Sequence, residues 1–115
     1  MNTLKIIDKK NLHLIYCVID LKMEITFFTK PADLNFANVH YQAHAGGHRF
    51  VVDLPNGYSA SIVQNPYSYG GEEGLWEIAV MKDGSLDYST PITPDVLGYI
   101  PANEVMEIVG RIAKL

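Results

Sequence analysis

One cysteine and nine basic residues in 115 set the first limits on this chain. Cys17 has no second thiol to pair with, so an intrachain disulfide is excluded and the composition fits a reducing, cytoplasmic compartment. It lies in the apolar run Leu14-Ile15-Tyr16-Cys17-Val18-Ile19 without adjacent positive charge, and reads as a buried thiol packing as a small hydrophobe. Nine Lys and Arg against thirteen Asp and Glu leave a net charge of −4. Such a balance disfavours a surface built to neutralise phosphates, so duplex nucleic acid is not an expected partner. The apolar run is also short of the roughly 20 residues needed to span a membrane. Although Lys5, Lys9 and Lys10 precede it, it runs into Asp20, Lys22 and Glu24 with no Ala-x-Ala cleavage site, unlike a secretory signal. Repeats, low-complexity tracts and Ser/Gly linkers are lacking too.

What is present is the make-up of one globular domain, 48% hydrophobic and 19% charged. A chain of this length buries roughly two-thirds of its unfolded surface, enough for a core without disulfides or metal clips. Residues 1–22 read as an N-terminal extension or additional strands, and 23–115 as a single α+β domain. The charge is uneven: residues 1–57 carry +1 and residues 58–115 carry −5. A solvated face accounts for much of that excess, and an acidic docking surface for a basic partner is the sharper reading.

Three turn signals, Gly46-Gly47, Asn56-Gly57 and Asp83-Gly84, divide the middle of the chain into antiparallel strands, each as a two-residue hairpin loop. A loop at Gly46-Gly47 puts Tyr41, Ala43, Phe50 and Val52 on one face and His40, Gln42, His44, Arg49, Val51 and Asp53 on the other. Apolar residues on both faces of the later hairpins predict a sheet covered on both sides. One cover is a C-terminal helix with Val105, Ile108, Val109, Ile112 and Leu115 in one stripe, and the other is the N-terminal segment or a second copy of the chain. Thr93-Pro94-Asp95-Val96-Leu97-Gly98 reads as a short helical turn with Thr93 as N-cap and Gly98 as its left-handed stop. The expected fold is an antiparallel meander of four to six strands with that helix packed on the sheet.

His40, His44 and His48 recur at a spacing of four, but a hairpin splits them between two faces. His40 is then expected opposite Asp53, and His44 opposite Arg49. The two histidines on the shared face stand about 13 Å apart along the strand, too far for one tetrahedral metal site. No metal, cofactor or catalytic set is expected. Gly57-Tyr58-Ser59-Ala60-Ser61 only begins like a hydrolase elbow, since Ser61 replaces the last glycine. Gly70-Gly71-Glu72-Glu73-Gly74 holds two carboxylates where a phosphate cradle needs none, and reads as a mobile acidic loop. The long connection containing it is the most unusual stretch of the chain. Tyr67, Tyr69 and Trp76 form its candidate contact surface, with Glu72, Glu73 and Glu77 as the acidic surroundings.

The segments Asn56 to Val63, Tyr69 to Val80 and above all Thr90 to Tyr99, followed by Glu104-Val105 and the last helix, resemble small uncharacterised proteins carried by phages and prophages. That resemblance implies a mobile-element accessory protein in a host cytoplasm and supplies no catalytic residues. The expected function is non-enzymatic binding of a host or phage macromolecule through the Tyr67 to Trp76 loop, in concrete form as an inhibitor of a host defence factor. The alternative is a homodimer that encloses a small molecule or nucleotide against His40, His44, Arg49 and Asp53, with Arg49 holding a phosphate or carboxylate.

Overall fold

The computed structural model describes residues 34–115 in full and, before them, the backbone of three strands: β1 (Thr3–Lys9), β2 (Leu12–Val18) and β3 (Thr26–Thr29). These three form an antiparallel sheet in the order β1-β2-β3. The expected burial of the Cys17 thiol lies outside the described residues. β4 (Asn38–His44), β5 (Gly47–Asp53), β6 (Tyr58–Gln64), β7 (Trp76–Lys82) and β8 (Ser85–Leu86) follow as a meander of antiparallel neighbours. β9 (Leu97–Ile100) adds to β7, pairing the Trp76 end of that strand while β8 pairs the Met81 end. α1 (Ala102–Ile112) closes the chain. The fold is α+β, with the C-terminal helix on an antiparallel meander.

Alternation along the strands builds the core. Phe50 and Val52 of β5, Ala60 and Ile62 of β6, and Trp76, Ile78 and Val80 of β7 share one face and are buried. Val105, Met106, Ile108, Val109 and Ile112 of α1 pack against them, the stripe expected from three- and four-residue spacing with Met106 added. No side chain caps the helix start at Pro101. At the other end Asn56 Nδ2 donates to the Ile112 carbonyl at 2.9 Å, tying α1 to the β5–β6 loop. No helix among the described residues is long and apolar enough to cross a membrane.

The first two hairpins differ from expectation in their loops. The β4–β5 turn is Ala45-Gly46, not Gly46-Gly47, with His44 opposite Gly47 and φ of 50° and 84° at the two corners. Gly47 belongs to the strand because a Cβ there would overlap the carbonyl oxygen of Gln64. Moving the turn by one residue changes each pairing by two, so every face assignment survives while the partners shift. His40 stands opposite Val51, and Arg49 opposite Gln42. The β5–β6 loop has three residues, Pro55-Asn56-Gly57: the Gly57 N–H donates to the Leu54 carbonyl, and Gly57 takes φ 87°. This is a type I turn followed by a left-handed glycine. Asp83-Gly84 is the two-residue turn expected, with φ of 52° and 80°. The helical turn expected over Thr93–Gly98 does not form. The Thr93 hydroxyl accepts from the Asp95 N–H at 3.1 Å, and Leu97 and Gly98 already belong to β9.

Candidate functional site

The connection between β6 and β7 is built from a succession of closed turns. Asn65, only 6% exposed, accepts at Oδ1 from the backbone N–H groups of Tyr67 and Ser68, both at 2.8 Å. The Ser68 hydroxyl accepts from the Asn65 N–H and donates to the Asn65 carbonyl, each at 3.0 Å. Asn is suited to this position because its amide mimics a backbone turn. Gly70 then takes φ 88°, a 3-10 turn covers Gly71–Glu73, and Leu75 N–H returns to the Gly70 carbonyl at 2.9 Å. The glycines read from sequence as a source of mobility thus occupy the corners and closures of hydrogen-bonded turns.

β9 docks on this structure. The Tyr99 N–H donates to the Tyr69 carbonyl at 3.1 Å, and Gly98 lies where a Cβ would overlap that of Tyr69. Tyr99 itself is held at φ 58°, a left-handed conformation costing a non-glycine residue about 1 kcal/mol or more. Three tyrosines on these turns and on β9 are exposed, Tyr67, Tyr69 and Tyr99 at 84%, 57% and 59%; the Tyr69–Tyr99 backbone hydrogen bond brings their segments together, and the three make up the candidate platform. A shallow depression of about 390 Å³ opens beside them, lined by Pro66, Ser68, Gly70, Glu72, Glu73 and Tyr99. Glu72 and Glu73 are exposed at its rim.

Two residues expected at this surface lie elsewhere. Trp76 is only 2% exposed; it faces the core from β7, with its ring in an edge contact 6.0 Å from Phe50. Its place follows from strand alternation, since Trp76, Ile78 and Val80 share a face. Glu77, the next residue, points to the opposite face of the sheet beside Val63. Tyr99 takes a place on the platform that sequence reasoning missed. The available signal was Leu97 and Ile100, apolar residues able to extend the core face of β7.

The second set of candidates occupies the sheet face away from α1. His40 Nε2 lies 2.9 Å from Asp53 Oδ2, as a diagonal neighbour and not the directly opposite one expected. The Ser59 hydroxyl donates to the other carboxylate oxygen at 2.6 Å. The Ser59 hydrogen bond, reinforced by the His40 contact, holds the Asp53 carboxyl below its ordinary range against a smaller opposing effect of burial. Arg49 turns away from both histidines: its Nε is 3.4 Å from Ser61 Oγ and its Nη2 3.7 Å from Met81 Sδ. His44 sits at the hairpin end. The fold therefore unites His40 with Asp53 and leaves His44 and Arg49 apart from them. His48, on the core-side face, pairs through Nδ1 with the Tyr41 hydroxyl at 2.7 Å. Among the described residues no three His, Cys, Asp or Glu are placed to hold a metal ion.

A larger hollow of about 750 Å³ lies beside α1, around Met106 and Gly110. Glu107, Arg111 and Lys114 border it, charges of both signs that select no ligand class. No protein-family model matches the chain, and no curated protein or solved structure matches it either.

Proposed function

We propose that this is a non-enzymatic binding protein that docks a protein partner on the Tyr67, Tyr69 and Tyr99 platform, with Glu72 and Glu73 selecting a basic rim on that partner. The observation that carries the reading is the backbone beneath Tyr99. A strained, non-glycine left-handed residue is retained with its aromatic ring turned outward, at the point where β9 meets the turns that present Tyr67 and Tyr69. Tyrosines carried on a backbone held in this way need no ordering of the main chain on binding, which suits them to anchor an interface. The resemblance to phage and prophage proteins makes a host protein the expected class of partner, and inhibition of a host defence factor the expected consequence.

The test is affinity capture from host lysate with the wild-type chain and with Tyr67→Ala/Tyr99→Asn, at low and high salt. A stoichiometric partner held by the wild type, weakened by salt and lost from the double variant supports the proposal. A partner retained equally by both removes the platform from its role.

A further inference from the structure

The sheet face opposite α1 carries a charge pattern that the described residues do not satisfy among themselves. Register places its residues in rows across the strands. One row is Gln42, Arg49, Val63 and Glu77; the next is His40, Val51, Ser61 and Ala79; the third is Asn38, Asp53, Ser59, Met81 and, on β8, Leu86. The centre is small and flat: Ser61 and Ala79 are buried under their neighbours, with Val51, Val63 and Met81 half-exposed around them. Arg49 and Glu77 flank Val63 in the first row and are both half-buried. Among the described residues Arg49 has no carboxylate in ion-pair reach, only the long contacts to Ser61 and Met81, and Glu77 has no cation. Partly desolvated charges without partners are costly, and a second surface that pairs them recovers that cost.

We propose that this face is the interface of a symmetric dimer, with the two-fold axis lying along β6. Two sheets stack with their faces about 10 Å apart. Rotation about an axis along β6 exchanges the β5 and β7 positions while preserving the row. Arg49 of each copy then stands over Glu77 of the other, and Val63 lies over its own counterpart. A two-fold axis set across the strands through that same row would instead oppose Arg49 to Arg49 and Glu77 to Glu77, so charge selects the first arrangement. An extended arginine and a glutamate together span the gap between the sheets, and the contacts Arg49 gives up are long ones. The occupant is a second copy because the pattern is its own complement: each surface offers one cation and one anion at positions that the rotation interchanges. About that axis β5, β6 and β7 of one copy stack on β7, β6 and β5 of the other, three strands of seven residues that make a face of roughly 14 by 23 Å, while β4 falls over the short β8 and β9 of the other copy; this is the size of a weak, reversible interface. This inference concerns a different surface from the tyrosine platform and stands independently of it.

Sedimentation velocity on the full chain, across concentrations from about 1 µM to about 1 mM, reads the equilibrium directly. The wild type is expected to form a dimer that weakens with salt. Arg49→Glu alone and Glu77→Arg alone each place like charges in both reciprocal contacts, and each is expected to weaken dimerisation on the order of tenfold or more. An equimolar mixture of the two single variants restores opposite charges at both contacts and is expected to give a heterodimer. That recovery cannot come from unfolded chains, so it separates lost pairing from lost folding. Should either variant fail to fold, Val63→Cys in a Cys17→Ser background supplies a second reading, since a short bismaleimide is expected to link two copies at that position. A wild type that stays monomeric throughout, a dimer indifferent to both substitutions, or a mixture that fails to associate would each overturn the proposal.

Discussion

Ala45 and Tyr99 share a backbone conformation and differ in what it serves. Ala45, at φ 50°, stands at the first corner of a two-residue hairpin loop, where Asn is far better suited. Ala45→Asn is therefore expected to raise stability by about 0.5–1 kcal/mol in urea denaturation, and a loss would contradict the turn assignment. The same residue accounts for the difference between the expected and the observed register: Gly46-Gly47 has turn chemistry, and nothing local shows that β6 excludes a side chain at Gly47. At Tyr99, φ 58°, the same conformation carries an exposed ring at the point where β9 meets the Tyr69 carbonyl. Tyr99→Asn is expected to leave stability within about 0.5 kcal/mol of the wild type, since Asn tolerates the left-handed region, while abolishing partner capture. Equal loss of both would make Tyr99 a structural residue. Asp53 supplies a pH prediction. Its carboxyl is held low in the folded chain, so its contribution is present above the unfolded carboxylate value of about 3.9 and is lost as pH falls through the folded value. Ser59→Ala removes the largest cause and is expected to move the Asp53 titration upward by carboxyl NMR. An unmoved titration would transfer the effect to His40.

Elements were legible where periodicity ran long enough and illegible where tertiary contact overrode a local motif. The α1 stripe needed only the spacing of Val105, Ile108, Val109 and Ile112, because a helix packed on a sheet must present one apolar face. Thr93-Pro94-Asp95 carries genuine helix-start chemistry, yet a single turn has no propagation to offset its nucleation, and Leu97 to Ile100 gain more by pairing with β7. Asn56 read as a turn residue and proved to hold two elements together, accepting from the Tyr58 N–H and donating to the Ile112 carbonyl. Asn56→Ala is expected to cost about 1–3 kcal/mol in the same denaturation assay, because both backbone groups lose their partner. A cost near zero would mean that water replaces the amide at the end of α1.

At the scale of the whole molecule the acidic second half does not resolve into one surface. Glu72 and Glu73 border the tyrosine platform, Glu77 lies on the sheet face and Asp83 occupies the β7–β8 turn. Composition alone could count those charges and not distribute them, because strand alternation sends neighbours such as Trp76 and Glu77 to opposite sides. The meander separates the two proposed surfaces as well: the platform sits where β6 leaves and β7 begins, and the dimer face spreads across the strands themselves. A photo-reactive phenylalanine analogue placed at Tyr67 in one preparation and at Tyr99 in another, expressed in the bacterial cell proposed as host, tests the platform most directly. Tyr88 serves as control, since it is exposed at 47% and follows Asp87, whose N–H meets the Val80 carbonyl of β7, outside the β6–β7 connection. The account predicts the same protein cross-linked from Tyr67 and from Tyr99 and none from Tyr88. Cross-links from Tyr88 alone, or different proteins from Tyr67 and Tyr99, would contradict it.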